Sequence, residues 1–404
     1  MTTTLARFGL RTEVYSGAGS RTLLPELLKG LGAKRVVLFT DQGLNRAGIT
    51  EKITALFNLM PGSIQLVGVF DEIEQDAKGE NVNQAARFFR ECHADSVVSV
   101  GGGSVLDACK AVKWLLHKQH HDVRDLMSGT TRELWPKAQP INIPHIAIPT
   151  TAGTGAEVSP MAVVYNEHLK IKTNLMNPFI AADIAILDPD LTVGLPPKIT
   201  AFTGFDALTH AVEGYFSPRA NPMSDSFALQ SARMIAENLP TAVHKGTDLQ
   251  ARANMLMASM MAITSFGLTV SAIPIHNMAH AFGGKFGIPH GLANAVLLPN
   301  VMESLQVLYL QKIRGFAEAM GLAAGELAPE VCLERVVSYI RELRDQVGLP
   351  STFAEFQLNP ESLDHIVMLV QSDPTSMGFR IPAQVIAKVT NEVAGFSQEQ
   401  EMSR

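Results

Sequence analysis

Residues 96–110 read SVVSVGGGSVLDACK. Ser96–Val100 is a short run rich in β-branched residues, the mark of a strand buried on both faces. Val105 opens a helical pattern that continues to His117. Between the two, Gly101, Gly102 and Gly103 form a turn that tolerates positive φ and lets backbone approach a bulky anion. The helix start offers free N–H groups and the positive end of its dipole to that anion. Ser104 and Asp107 have the spacing of a capping box. The turn is neither a GxGxxG fingerprint nor a P-loop.

The surrounding sequence repeats this alternation. Val36–Phe39, Ile64–Phe70, His145–Ile148 and Ile184–Leu187 are further strand-like runs, and helical patterns cover 23–31, 48–57, 81–91 and 105–117. Strand and helix in turn predict βαβ units and a doubly wound parallel sheet. After Pro196-Pro197 strand-like runs cease, and helical patterns cover 201–216, 223–238, 250–266, 306–320, 330–347 and 361–371. We therefore expect an α/β dinucleotide-binding domain over 1–195 and a helical domain over 196–404.

Composition bounds the function. The chain has 404 residues, a formal net charge of −6 and no Lys/Arg run, which argues against sequence-independent nucleic-acid binding. Only 18% of residues are charged, below the usual value of about 25%, so large buried areas and a subunit interface are expected. Cys92, Cys109 and Cys332 are sparse and form no CxxC pair, which predicts a reducing compartment and no disulfide framework. Met1–Leu10 lacks an apolar run of signal-peptide length, and a cytoplasmic protein is expected. From Ala253 to Gly284 there is no Asp, Glu, Lys or Arg. Its Ser, Thr, Pro, Asn and His residues, and flanks without aromatic anchors or a basic cluster, favour a buried helix over a membrane span.

A second loop joins the glycine turn. Ile148-Pro149 runs into TTAGTGAE at 150–157, where hydroxyls and glycines suit a pyrophosphate or ribose. Both loops follow strands, where open α/β sheets bind ligands. Asp41 ends the strand at 36–40. It suits ribose hydroxyls and disfavours a 2′-phosphate, hence NAD over NADP; a helix N-cap role fits its position equally well.

The helical half carries a metal pattern. Asp206 and His210 stand four apart on one helical face. His276 and His280 repeat that spacing, and His290 follows. One Asp and three His suit Fe²⁺ or Zn²⁺, which acts as a Lewis acid on an alcohol or carbonyl oxygen. Spacing alone leaves His276 and His280 as alternatives for one ligand position. No GxSxG or HExxH string occurs, Cys109 reads as structural, and the methionines near 255–261 read as core filler.

Together GGGSVLDACK (101–110), PTTAGTGAEVS (149–159), DPDLT (188–192), FDALTHAVEGY (205–215) and HNMAHAFGGKFGIPHGLANAVLLP (276–299) resemble the iron-containing (group III) alcohol dehydrogenases, over about Phe8 to Gly395. The resemblance implies a Rossmann-like dinucleotide-binding domain followed by a helical domain, the dehydroquinate synthase-like architecture, with the active site between them. It implies metal ligands at Asp206, His210, His276 and His290, and His280 as a proton-relay residue. Gly102, Gly103, Ser104, Asp107, Thr150, Thr151, Thr154 and Ser159 would line the cofactor, with Asp41 on the ribose and Lys172 as a further contact. Asp76-Ala77-Lys78 replaces the family's Asn-Pro-Thr, Gly378-Phe379-Arg380 replaces its Asn-Pro-Arg, and Lys285 adds a cation between ligand histidines.

The expected activity is metal-dependent, NAD(H)-linked hydride transfer between nicotinamide and an alcohol or aldehyde, with Fe²⁺ (or Zn²⁺) and NAD as cofactors. The expected assembly is a homodimer binding small molecules, with no nucleic acid and no membrane. Maleylacetate reductase and glycerol dehydrogenase are alternatives of the same superfamily. A non-catalytic nucleotide-sensing protein with a structural metal is the alternative of another class, and would require a closed site.

Overall fold

The structure, a computed structural model, describes residues 8–59, 62, 64–356, 358, 363–373 and 378–395. The chain divides into two compact units: Gly9–Leu195 with Thr247–Met260, and Pro196–Gly246 with the described part of Met261–Arg404.

Among its described residues the first unit contains nine strands: β1 Glu13–Ser16, β2 Arg35–Phe39, β3 Gln65–Phe70, β4 Ser96–Gly101, β5 Thr130–Arg132, β6 His145–Pro149, β7 Met161–Asn166, β8 Ile171–Met176 and β9 Ile184–Leu187. Six form a parallel sheet in the order β1-β9-β6-β4-β2-β3. Alternate residues of β2 enter different cores. Val37 and Phe39 pack with Val82 and Ala86 of the helix Gly79–Glu91 and with Val105 and Val112 of the helix Gly103–His117. Val36 and Leu38 pack with Leu24 and Leu28 of Leu24–Gly30 and with Ile53 of Ile49–Thr54. Helices thus cover both faces, and the doubly wound α/β unit expected from the alternation is present.

From β2 the chain passes to β3 on one side, then to β4 on the other and on to β6. The strand order reverses there, so the crevice beyond the carboxyl ends of β2 and β4 is the ligand-binding position of such a sheet. Asp41 and the three glycines occupy those ends.

Strands β5, β8 and β7 form a second, three-stranded sheet that the sequence reading did not anticipate. Strands β7 and β8 pair antiparallel, joined by a turn in which Asn166 Oδ1 accepts from the amides of His168 (3.0 Å) and Leu169 (3.2 Å).

Among its described residues the second unit is helical: Pro197–Tyr215, Pro222–His244, Pro274–Phe286, His290–Ser304, Ile313–Ala319, Pro329–Gln346, Leu363–Ser372 and Ala383–Ala394. Three helix expectations need correction. The uncharged stretch from Ala253 is two helices, Leu249–Thr269 and Pro274–Phe286, bent by 106°. Pro274 opens the second one, a position where its missing N–H costs nothing. Among the described residues no single helix is long and apolar enough to cross a membrane. The helix Pro222–His244 runs through Pro240 instead of stopping at Asn238. The pattern at 306–320 is broken into a 3₁₀ turn at Gln306–Leu308 and the helix Ile313–Ala319. The break lets Lys312 Nζ donate to the Tyr215 carbonyl (2.7 Å) and pair with Asp225 (2.6 Å). A cation there complements the C-terminal end of Pro197–Tyr215. Residues 361–362 of the last helical pattern and the polar tail after Gly395 lie outside the described residues.

Candidate active site

In the first unit, adjacent strands β4 and β6 bring their two loops together, with the Thr150 amide donating to the Gly101 carbonyl (3.0 Å). A Cβ on Gly103 would stand 2.6 Å from Thr154 Cγ2, and one on Gly102 would stand 3.3 Å from Thr151 Oγ1. The glycines are therefore needed for contact between the loops as well as for backbone exposure. The expected capping box does not form. Gly102 is the N-cap residue and no side chain caps the helix. Ser104 Oγ instead accepts from the Asp76 amide (3.0 Å), and Asp107 accepts from the Val163 amide (3.0 Å) and pairs with Lys110 (2.8 Å). Ser104 and Asp107 are thus committed to neighbouring strands and loops, which outcompete the local cap.

Lys110 is the residue here that sequence reading missed. It is 1% exposed. Its Nζ donates to the carbonyls of Ala156 (2.9 Å), Ser159 (3.3 Å) and Met161, tying the threonine loop to the glycine-turn helix. Its position three residues after Asp107 was the available signal. Thr150 and Ser159 are buried, and Ser159 Oγ accepts from the Met161 amide (3.2 Å). Thr154 Oγ1 accepts from the Ala156 amide (3.3 Å). Lys172 Nζ pairs with Asp76 Oδ1 (2.8 Å), so the departure at Asp76-Ala77-Lys78 bridges two expected cofactor residues, Ser104 and Lys172. Asp76 and Ala77 both hold positive φ (67° and 48°), a conformation uncommon outside glycine. Asp41 Oδ1 accepts from the Leu44 amide (3.0 Å), the N-cap role that its position also allowed. Cys109 is buried, and desolvation pushes its thiol up to about 12, consistent with a structural residue.

In the second unit, Asp206 and His210 project from Pro197–Tyr215, His276 and His280 from Pro274–Phe286, and His290 opens His290–Ser304. One ligand atom each from Asp206, His276 and His290 lies within 4.8 Å of the others. Asp206 Oδ1 is 3.7 Å from His276 Nε2 and 3.6 Å from His290 Nε2. Two ligand atoms tetrahedrally arranged about one cation at roughly 2.1 Å stand about 3.4 Å apart. His210 lies beside this trio rather than within it: its ring stacks on His276 with centroids 4.6 Å apart, and Phe266 flanks both rings. The His280 ring lies 5.3 Å from that of His290 and 6.4 Å from that of His276. Its Nδ1 faces Asp373 Oδ2 at 3.3 Å.

Three supporting polar residues were missed: Asn294, Glu213 and Asp373. Asn294 Nδ2 donates to Asp206 Oδ1 (2.8 Å), and Glu213 Oε2 is hydrogen-bonded to His276 Nδ1. The first two carried a signal. Asn294 is four residues after His290, and Glu213 is seven after Asp206, on the same helical face. Asp373 had none, being 93 positions from its partner.

The electrostatics favour a cation. Burial raises the Asp206 carboxyl, but His210, His276 and His290 outweigh it and hold the group well below the usual carboxylate range. Burial opposes charge on His276, yet Glu213 and Asp206 push it up to about 9. The decisive fit is at His276. Its Nε2 is buried without a hydrogen-bond partner, while its Nδ1 is engaged by Glu213. A buried polar atom left in that state is costly, and a divalent cation satisfies it.

Residues 11–189 match the family model for iron-containing alcohol dehydrogenase, and residues 200–385 match that for the C-terminal part of the Fe-containing alcohol dehydrogenase family. Among similar relatives are 1,3-propanediol dehydrogenase of Citrobacter freundii (35% identity over 89% of this chain and 90% of the relative) and long-chain-alcohol dehydrogenase 1 of Geobacillus thermodenitrificans (35%, over 85% and 84%). A solved 1,3-propanediol oxidoreductase superposes with a TM-score of 0.88 at 31% identity, covering 96% of this chain and all of that one.

Proposed function

This chain belongs to the iron-containing alcohol dehydrogenase family, and from that premise we propose how its own residues divide the work. It is a metal-dependent, NAD(H)-linked alcohol dehydrogenase or aldehyde reductase. We assign the dinucleotide to residues 1–195 and the metal and substrate to 196–404. Gly102, Gly103, Ser104 and Asp107 with Thr150, Thr151, Thr154 and Ser159 hold the cofactor phosphates and ribose, and Lys172 adds charge. Asp41 sits where a ribose 2′-phosphate would be repelled, which supports NAD over NADP.

Asp206, His210, His276 and His290 hold the divalent cation, and we take Fe²⁺ as the native ion. When bound, the cation supplies Lewis acidity, and the nicotinamide supplies or accepts the hydride. His280, engaged by Asp373 at Nδ1, relays the alcohol proton through Nε2. The observation that carries this reading is the convergence of Asp206, His276 and His290 around a buried, unpartnered His276 Nε2. The relatives' diol and long-chain alcohol substrates support an alcohol or aldehyde as the substrate class, with its size open, and they do not favour the maleylacetate or glycerol readings. A cytoplasmic homodimer is consistent with three free thiols and 18% charged residues; sedimentation velocity measures the oligomeric state.

Asp206→Ala is expected to remove bound metal; unchanged metal content in that variant sinks the ligand assignment. His280→Ala is expected to keep metal and lose rate, by about 10²- to 10⁴-fold for a general acid–base group. Full activity there removes the relay role.

A further inference from the structure

Glu213 is 1% exposed at its side chain and has a divided set of contacts. Its Oε1 accepts from the backbone amides of Ile275 (2.7 Å) and His276 (3.4 Å). These are unpaired first-turn amides of the helix Pro274–Phe286. Its Oε2 is hydrogen-bonded to His276 Nδ1. With Oε1 accepting from two backbone amides, we assign the carboxyl group as the acceptor toward the ring too, which puts the shared hydrogen on Nδ1. In the neutral ring the lone pair then falls on Nε2, the buried atom 3.7 Å from Asp206.

We propose that Glu213 is a positioning residue that fixes the Nδ1–H tautomer and the ring orientation of His276, so that Nε2 is available to the cation. The inference rests on the assignment of His276 as a metal ligand. Carboxylates that orient ligating histidines in this way tune metal affinity without touching the metal.

The divided contacts make a sharp test. In Glu213→Gln the amide oxygen must face the two backbone N–H donors, because the opposite rotamer sets donor against donor. The amide NH₂ then faces His276 Nδ1 and can only donate to it, which forces the ring proton onto Nε2. A residue that merely caps the helix would lose nothing in this variant, since the cap survives. A residue that sets the tautomer would lose metal. Glu213→Ala removes the cap but leaves the ring free to adopt either tautomer. The two roles therefore predict opposite orders.

The experiment is Zn²⁺ titration of metal-free full-length protein against a chromophoric chelator, with melting of the metal-free protein as the folding control. Co²⁺ absorption reports the geometry of the ligand set. Wild type, His276→Ala, Glu213→Gln and Glu213→Ala are compared. We expect Glu213→Gln to melt near wild type and to bind Zn²⁺ about 10- to 100-fold more weakly, and more weakly than Glu213→Ala. Wild-type affinity in Glu213→Gln, with loss only in Glu213→Ala, overturns the proposal in favour of a cap. Wild-type affinity in His276→Ala would instead refute the ligand assignment, and the proposal with it. If Glu213→Gln does not fold, Glu213→Asp and Glu213→Asn decide. They match in size and differ in charge, so tighter binding by Asp supports the proposal and equal binding overturns it.

Discussion

Burial governs the protonation of Glu157, in the threonine loop. The residue is 2% exposed, and desolvation pushes its carboxyl up to about 7, with Lys110 acting weakly the other way. The folded state therefore holds this proton above the pH at which the unfolded chain, at the ordinary value of 4.5, has released it. The resulting stabilisation is fully present below about pH 4.5 and is lost as pH rises through about 7. A shift of this size corresponds to roughly 3 kcal/mol. Glu157→Gln should flatten the pH dependence of the melting temperature over that window and exceed wild type in stability at pH 8. Parallel melting curves would show that Glu157 stays ionised in the fold. Residues whose spacing places them on one helical face were the ones readable as candidates. Asp206 and His210 announce themselves by a four-residue step. Lys110 and Glu213 had spacing signals, but their chemistry appears only when the loop at 149–161 and the helix at 274–286 are brought against them.

At the scale of elements, two glycines set close approaches that neighbouring sequence does not reveal. A Cβ on Gly291 would fall 2.3 Å from the Phe202 carbonyl oxygen. His290–Ser304 and Pro197–Tyr215 thus touch through backbone, one residue after His290 and four before Asp206. Gly291→Ala must separate these helices, at about 1–3 kcal/mol for overpacking. It should lower both the melting temperature and metal affinity, measured by calorimetry and chelator competition; a variant that binds metal as wild type does would show that the approach is not what sets the His290–Asp206 distance. A Cβ on Gly378 would fall 1.8 Å from the Ser271 carbonyl oxygen, at the bend between Leu249–Thr269 and Pro274–Phe286. The departure from Asn-Pro-Arg at Gly378 is therefore a packing requirement of this chain. Gly378→Ala should melt well below wild type, and unchanged melting would contradict that packing.

The elements follow the same logic of legibility. Strands β2, β4, β6 and β9 were readable because burial on both faces leaves continuous apolar runs, and the edge strand β3 because Leu66, Val67, Val69 and Phe70 are apolar although most of the strand is only partly buried. Strands β7 and β8 were not, because one face of each is partly exposed and Lys172, Thr173 and Asn174 dilute the pattern. The bend after Thr269 was hidden because both flanking helices are apolar and only Pro274 marks the restart.

At the scale of the molecule, the sheet's strand reversal puts Asp41 and both loops at one edge of the first unit, and the second unit brings Asp206, His276 and His290 together from three helices. The α/β-then-helical order was legible from where strand-like runs stop, near Leu195. Thr247–Met260, which groups with the first unit, was not, since a long-range packing choice leaves no local mark. Cofactor preference belongs to this scale as well. Asp41→Ser should lower the KM for NADPH relative to NADH; an unchanged ratio would limit Asp41 to its N-cap role. Hydride exchange with an alcohol or aldehyde should depend on a divalent cation held by Asp206, His210, His276 and His290. The most direct test is anaerobic NADH oxidation with a panel of short aldehydes by wild type and His276→Ala, each reconstituted with Fe²⁺ and separately with Zn²⁺. Metal-dependent turnover is expected in wild type and should disappear in His276→Ala. Turnover that survives in His276→Ala, or in wild type stripped of metal, would contradict that dependence.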